Sequence, residues 1–301
     1  MSDRLSRWVL LGGNRYLVGG GILGLMTLVA TVPIFTGAVI RNTTPLTYMA
    51  SALITGNVTL ISLVVAINQV VLSQELESPG SLRDEIEATA DYRQAALDRE
   101  TAPTEPADFL QEILEQTGCR VRSLEFPEET DDASDRLVTD LSEHCRTVSE
   151  SLESASGDLS AVVLPLLGAD YAGSIRDAHR IQSSIDAERH EELSENLEEL
   201  ALDLENLDVA RQYFTTAFVK EELAELSRSL LYVGILVVSI AIALLFQLTT
   251  YSGPSPPTSE LFGLAVLTMM FGLTPLALLI AFVLRIATVA GHIASITPFS
   301  S

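Results

Sequence analysis

LTYMASALITGNVTLISLVVAINQVVLS, residues 46–73, contains no Asp, Glu, Lys, Arg or His. A helix needs about 20 such residues to cross a hydrocarbon core ~30 Å thick, so the stretch reads as a membrane span. Working outward, Tyr16–Ile40 precedes it, and Ser229–Tyr251 and Leu261–Leu284 lie near the other end of the 301-residue chain; all three are equally free of charge. Between the two pairs, residues 74–228 hold every acidic residue except Asp3 and Glu260. The expected fold is all-α: a polytopic membrane protein whose four transmembrane helices, arranged 2 + 2, flank an acidic helical bundle with a coiled-coil segment. The boundaries are an interfacial N-terminal segment (1–15), spans one and two (16–73), the acidic domain (74–228), spans three and four (229–285) and a C-terminal tail (286–301).

The charge is lopsided. Acidic residues outnumber basic ones 40 to 18, and Lys220 is the only lysine. Phosphate backbones and anionic headgroups repel a surface of this sign, which excludes nucleic acid as a partner. An acid-rich, lysine-poor balance fits the molar-salt cytoplasm of a halophilic archaeon. There the Debye length falls to about 3 Å and self-repulsion is screened. The bundle is therefore expected to lose helicity when salt is lowered.

Orientation follows from arginines beside the short loops. Arg4, Arg7 and Arg15 precede span one, Arg285 follows span four, and most remaining basic residues lie in 74–228. The loop after span one offers only Arg41, and Tyr251–Glu260 has no basic residue. Both termini and residues 74–228 are expected in the cytoplasm of a multi-pass cell-membrane protein.

Span two is the most polar of the four. Thr47, Ser51, Thr55, Thr59, Ser62, Ala66, Gln69 and Ser73 recur at steps of three and four, which puts them on one helical face. Thr55, Thr59, Ser62 and Gln69 are the candidate pore-lining residues of an assembly of several copies. Asn57 and Asn68, displaced around the helix, are candidate interhelical hydrogen-bond partners. In span one, Gly20 and Gly24 have the spacing that lets another helix approach closely.

The acidic domain divides into helices at Leu82–Glu100, with a start signal at Ser81, and at Ala107–Gln116, ended by Gly118. A third, Ser134–Ser156, carries Leu137, Leu141, Cys145, Val148 and Leu152 on one face. Leu159–Leu167 is apolar but too short to span. Leu193, Leu197, Leu200, Leu204, Leu207, Arg211, Phe214 and Phe218 alternate four and three residues, a coiled-coil seam interrupted by Arg211. The pattern reaches span three, so one continuous helix is expected there. Ser2–Leu11 reads as an interfacial helix, Ser252–Ser259 as a proline-rich turn, and Thr274-Pro275 as a kink in span four.

Catalytic chemistry is missing from the sequence. No nucleotide-binding glycine loop, HExxH or nucleophile elbow is present, and the spans lack the carboxylates of proton relays. Cys119 and Cys145, the only cysteines, are expected as free thiols. No cofactor, metal site or enzymatic activity is expected.

The layout of two spans, a helical domain and two spans resembles the bestrophin family of anion channels, which implies a pore lined by span two. Asn68-Gln69-Val70-Val71-Leu72-Ser73-Gln74-Glu75, followed by Pro79-Gly80-Ser81-Leu82-Arg83, departs from the bestrophin pattern and is similar to a group of uncharacterised haloarchaeal membrane proteins. The expected function is a homo-oligomeric ion channel. The alternative is a membrane-anchored scaffold or signalling adaptor whose acidic bundle holds a cytoplasmic protein partner.

Overall fold

The computed structural model describes residues 15–35, 40, 42–75, 78–126, 132–153, 159–185, 190–250 and 257–294. All regular structure among them is helical: α1 (Arg15–Phe35), α2 (Thr44–Glu75), α3 (Pro79–Leu97), α4 (Pro106–Ser123), α5 (Asp132–Glu153), α6 (Leu159–Leu166), α7 (Tyr171–Ser184), α8 (Glu191–Thr250) and α9 (Thr258–Ala294). Parts of α1, α2, α8 and α9 are long and apolar enough to cross a membrane. The expected interfacial helix at Ser2–Leu11, the end of the expected helix at Ser156, Arg41 and most of the turn at 252–259 lie outside the described residues.

The chain divides into two compact units, residues 1–76 with 220–288, and residues 77–219 with the C-terminal end. The first contains α1, α2, the second half of α8 and most of α9. One apolar cluster joins Val64 of α2 to Leu226 and Leu230 of α8 and to Leu278 and Phe282 of α9. A second joins Leu46 of α2 to Leu261 and Ala265 of α9. The buried positions of α2 thus recur at Leu46, Ala50, Asn57 and Val64, one helical stripe.

In the second unit, α3 starts earlier than the serine signal suggests. Ser78 is the N-cap, its hydroxyl accepting from the Ser81 amide at 3.3 Å, with Pro79 in the first turn. Proline suits that turn because the amide it lacks would have no helical partner there. Asp98, at φ 47°, closes the helix in the left-handed conformation, and the amide of Arg99 reaches Gln94 O at 3.1 Å.

Gly118 does not end α4, which runs to Ser123. A side chain there would meet Cys145 Cβ at 3.6 Å and the Arg122 guanidinium at 3.3 Å. Both are contacts a methyl group could make, and the helix-breaking tendency of one glycine, roughly 1 kcal/mol, is overcome by packing. Phe109, Leu110, Ile113, Leu114 and Val121 of α4 are buried, as are Leu137, Leu141, Cys145, Val148 and Leu152 of α5. Val162, Val163, Leu166 and Leu167, in and beside α6, join this core. Each fully buried leucine contributes about 1.5–3 kcal/mol relative to exposure.

The α8 seam, Leu193 through Phe218, is buried at every position, Arg211 included. Its guanidinium donates to Asp208 Oδ1 at 2.5 Å and Ala169 O at 3.3 Å, and stacks over the Tyr171 ring at 5.5 Å. Asp203, also buried, accepts from Gln116 at 2.8 Å and Arg120 at 2.7 Å. Arg211 on the seam and Asp203 beside it are therefore both partnered, as burial of charge requires. Tyr171 lies fully buried and its hydroxyl is 2.8 Å from His144 Nε2. Burial lowers the His144 pKa to about 4, so the ring is neutral and shares this hydrogen bond with the tyrosine hydroxyl.

Candidate functional site

Helix α2 has a side packed against its own unit and an open side, and the open side mixes polar residues with Val58, Leu63, Val65, Val70 and Leu72. Thr55, Thr59, Ser62 and Gln69 are all exposed, and nothing in the described chain packs over that stripe. From Thr55 to Gln69 it runs about 21 Å at 1.5 Å per residue. The hydroxyls of Thr55, Thr59 and Ser62 donate back to Ser51 O, Thr55 O and Val58 O at 3.1, 2.9 and 2.9 Å. Their protons are thereby tied to the helix, and the stripe presents oxygen lone pairs outward. The Gln69 amide makes no hydrogen bond to a described residue.

The opposite face binds the rest of its own unit. Asn57, 3% exposed, donates through Nδ2 to Leu53 O at 2.8 Å and to Gly272 O of α9 at 3.1 Å. Its Oδ1 is buried without a partner. The contact lies one residue from the Phe271 carbonyl, which Pro275, lacking an amide proton, leaves without its helical donor. Gly272 permits the approach: a Cβ there would sit 2.4 Å from Leu53 Cδ1. Nearer the other end of α2, Asn68 Oδ1 accepts from Ser227 of α8 at 2.6 Å. Both asparagines make their interhelical bonds within one chain.

The glycines at close helix contacts are different ones from the pair with GxxxG spacing. Gly19 meets Leu278, Ala277 and Ala281 of α9, and Gly234 of α8 meets Ile61 of α2. A Cβ at Gly20 or Gly24 would meet no atom of the described residues within 4 Å. Both are exposed among the described residues.

A charge cluster that the sequence reading did not assemble closes one end of the helix set. Arg15 of α1 pairs with Glu222 at 3.1 Å and with Glu225 at 2.6 Å, and Arg285 of α9 approaches Glu222 at 3.5 Å. Glu222 is only 3% exposed. The Tyr16 hydroxyl donates to Glu225 at 3.1 Å, and the Arg15 guanidinium lies 5.2 Å from the Phe282 ring centre. The residues come from three helices, and Arg15 is more than 200 positions from the glutamates it pairs with. The available signal was local: Glu222 and Glu225, one turn apart, directly precede an apolar run, while Arg15 and Arg285 flank two others.

With both faces of α2 defined, comparison with known proteins adds one result. A family model of unknown function, DUF7972, matches residues 1–300. The chain belongs to the DUF7972 family. No curated protein and no solved structure matches it. Membership of DUF7972 covers the polar stripe, the asparagine contacts and the charge cluster together, and it assigns none of them a role.

Proposed function

We propose that several copies of the chain assemble into an ion channel whose pore is lined by the open face of α2. The observation that carries this reading is the division of labour on that helix: Asn57, Val64 and Asn68 hold it to its own chain, while Thr55, Thr59, Ser62 and Gln69 face away. A glutamine amide facing hydrocarbon without a partner costs several kcal/mol, so a stripe ending in Gln69 favours water or a second protein surface over lipid. The outward hydroxyl oxygens offer acceptors to a passing hydrated cation or to pore water. Four spans of a single chain enclose too little space for an aqueous pore, so the pore lies between copies. Gly20 and Gly24, open on α1, supply a surface against which a neighbouring helix packs.

The layout of two spans, a helical domain and two spans supports the analogy with bestrophin-type channels. The arginine asymmetry supports a cytoplasmic acidic domain, and the charge balance supports a high-salt cytoplasm. The topology is checked by labelling intact cells with a membrane-impermeant maleimide. A cysteine introduced as Ser255→Cys should react, while the exposed native Cys119 should react only after permeabilisation.

The channel itself is tested by native mass measurement and ion flux in liposomes. Wild-type protein should be oligomeric and conduct; Thr59→Leu and Ser62→Leu should retain the oligomeric mass and lose flux. A monomeric mass, or a well-folded oligomer silent in both sodium and potassium salts, would refute the channel and leave the scaffold reading.

A further inference from the structure

The second unit contains a cavity of about 420 Å³ between α3, the start of α4 and the first half of α8. That volume falls within the range of small-molecule sites. Four aromatic rings line it, Tyr92, Phe109, Tyr213 and Phe214. Tyr92 and Phe109 meet edge to face with centroids 5.9 Å apart, and Tyr213 and Phe214 do so at 5.4 Å. The Tyr92 hydroxyl donates to Asn206 O at 2.6 Å, which fixes its ring against the wall.

The polar lining is sparse and directional. Arg93 is partly buried; its Nε donates to Thr89 O at 3.4 Å and its Nη1 to Pro103 O at 3.1 Å. A guanidinium carries five donors, so N–H groups remain for a ligand. Arg93 forms no ion pair with a described residue. By contrast Arg99, Arg120, Arg146, Arg180 and Arg211 of the same unit each pair with a carboxylate. Arg83, Arg122, Arg136 and Arg176 likewise make no ion pair with a described residue; what sets Arg93 apart is its partly buried place in the lining of an aromatic cavity, with N–H groups to spare. The Thr104 hydroxyl beside it likewise has no partner among the described residues. Glu85 lines the other end, eight residues earlier on α3 and so about 12 Å away along the helix axis.

We propose that this cavity binds a small amphipathic organic anion, its apolar body between the four rings and its carboxylate on Arg93. Glu85 sets the direction, since it repels a carboxylate from the opposite end. The planar guanidinium matches a carboxylate with two parallel hydrogen bonds, which an uncharged ligand cannot reproduce. The inference is independent of the pore and stands whether or not the chain conducts.

The test uses the full chain in nanodiscs, with 4-phenylbutyrate, its uncharged amide and 4-phenylbutylammonium as probes, measured by equilibrium dialysis against empty nanodiscs. Phenylbutyrate should bind at least tenfold more tightly than either analogue. Arg93→Gln should erase that preference while leaving the weak binding of the amide unchanged. Ala88→Trp, at an exposed position on the cavity wall, should abolish binding of all three with helicity intact. Glu85→Gln should leave phenylbutyrate affinity equal or higher. Binding no greater than to empty nanodiscs, equal affinity for the amide, tighter binding of the ammonium, or insensitivity to Ala88→Trp would each overturn the proposal.

Discussion

Replacing Glu222 by leucine should cost more than any substitution on the open face of α2, because the carboxylate sits 3.1 Å from Arg15 and 3.5 Å from Arg285 with almost no solvent access. At an effective dielectric of 20, each unit pair at these separations interacts by about 5 kcal/mol before desolvation is counted. Desolvation offsets much of that gain, so the pair is a poor source of net stability. Breaking it is another matter: a lone charge left behind in a buried site costs about 3–5 kcal/mol. Arg15 keeps Glu225 at 2.6 Å in the variant, while Arg285 loses its contact with Glu222, and the double variant isolates that contact. The double variant Glu222→Leu/Arg285→Leu removes both charges and should recover roughly 1–3 kcal/mol relative to the sum of the single changes. The assay is chemical unfolding in detergent followed by circular dichroism, on wild type, both single variants and the double variant. Additivity within about 0.5 kcal/mol would show that Glu222 and Arg285 do not act as a pair. So would a Glu222→Leu penalty below about 1 kcal/mol, and either result refutes the reasoning.

Gly272→Ala should destabilise the same protein by about 1–3 kcal/mol, since its methyl group would meet Leu53 Cδ1 at 2.4 Å and Cγ at 2.9 Å. Gly263→Ala, on the same helix with nothing within 4 Å, is the control and should be neutral or mildly stabilising in the same unfolding assay. His144 makes stability depend on pH: its folded pKa of about 4 lies below the ordinary 6.5, so the unfolded chain takes the proton first. Stability should be full above about pH 6.5 and decline toward pH 4, by on the order of 3 kcal/mol in total. The slope should vanish in His144→Gln, and an unchanged slope in that variant would assign the pH dependence to other groups.

The sequence by itself determined the elements whose signal is local. Uncharged runs long enough to cross a bilayer appear as α1, α2, α8 and α9. The alternation of four and three residues from Leu193 to Phe218 appears as a buried stripe on one continuous helix. Period-3.6 patterning also separated the faces of α2: Thr55, Thr59 and Ser62 lie on its open side, while Asn57 bonds to Gly272 and Asn68 to Ser227. Helix ends were less legible, because Ser78 and Ser81 carry the same capping chemistry and Gly118 looks like a stop until α5 is seen against it. Partners distant in the chain were decided only by tertiary structure. The local spacing of Gly20 and Gly24 suggested a helix contact, yet Gly19, Gly234 and Gly272 sit at the close contacts, since a glycine permits close approach only where folding brings another helix to it. Likewise, Arg15, Glu222 and Arg285 look like ordinary flanking charges in the sequence. They become one cluster because folding brings the start of α1, the middle of α8 and the last third of α9 together, and no periodicity in the sequence encodes which of these positions will meet.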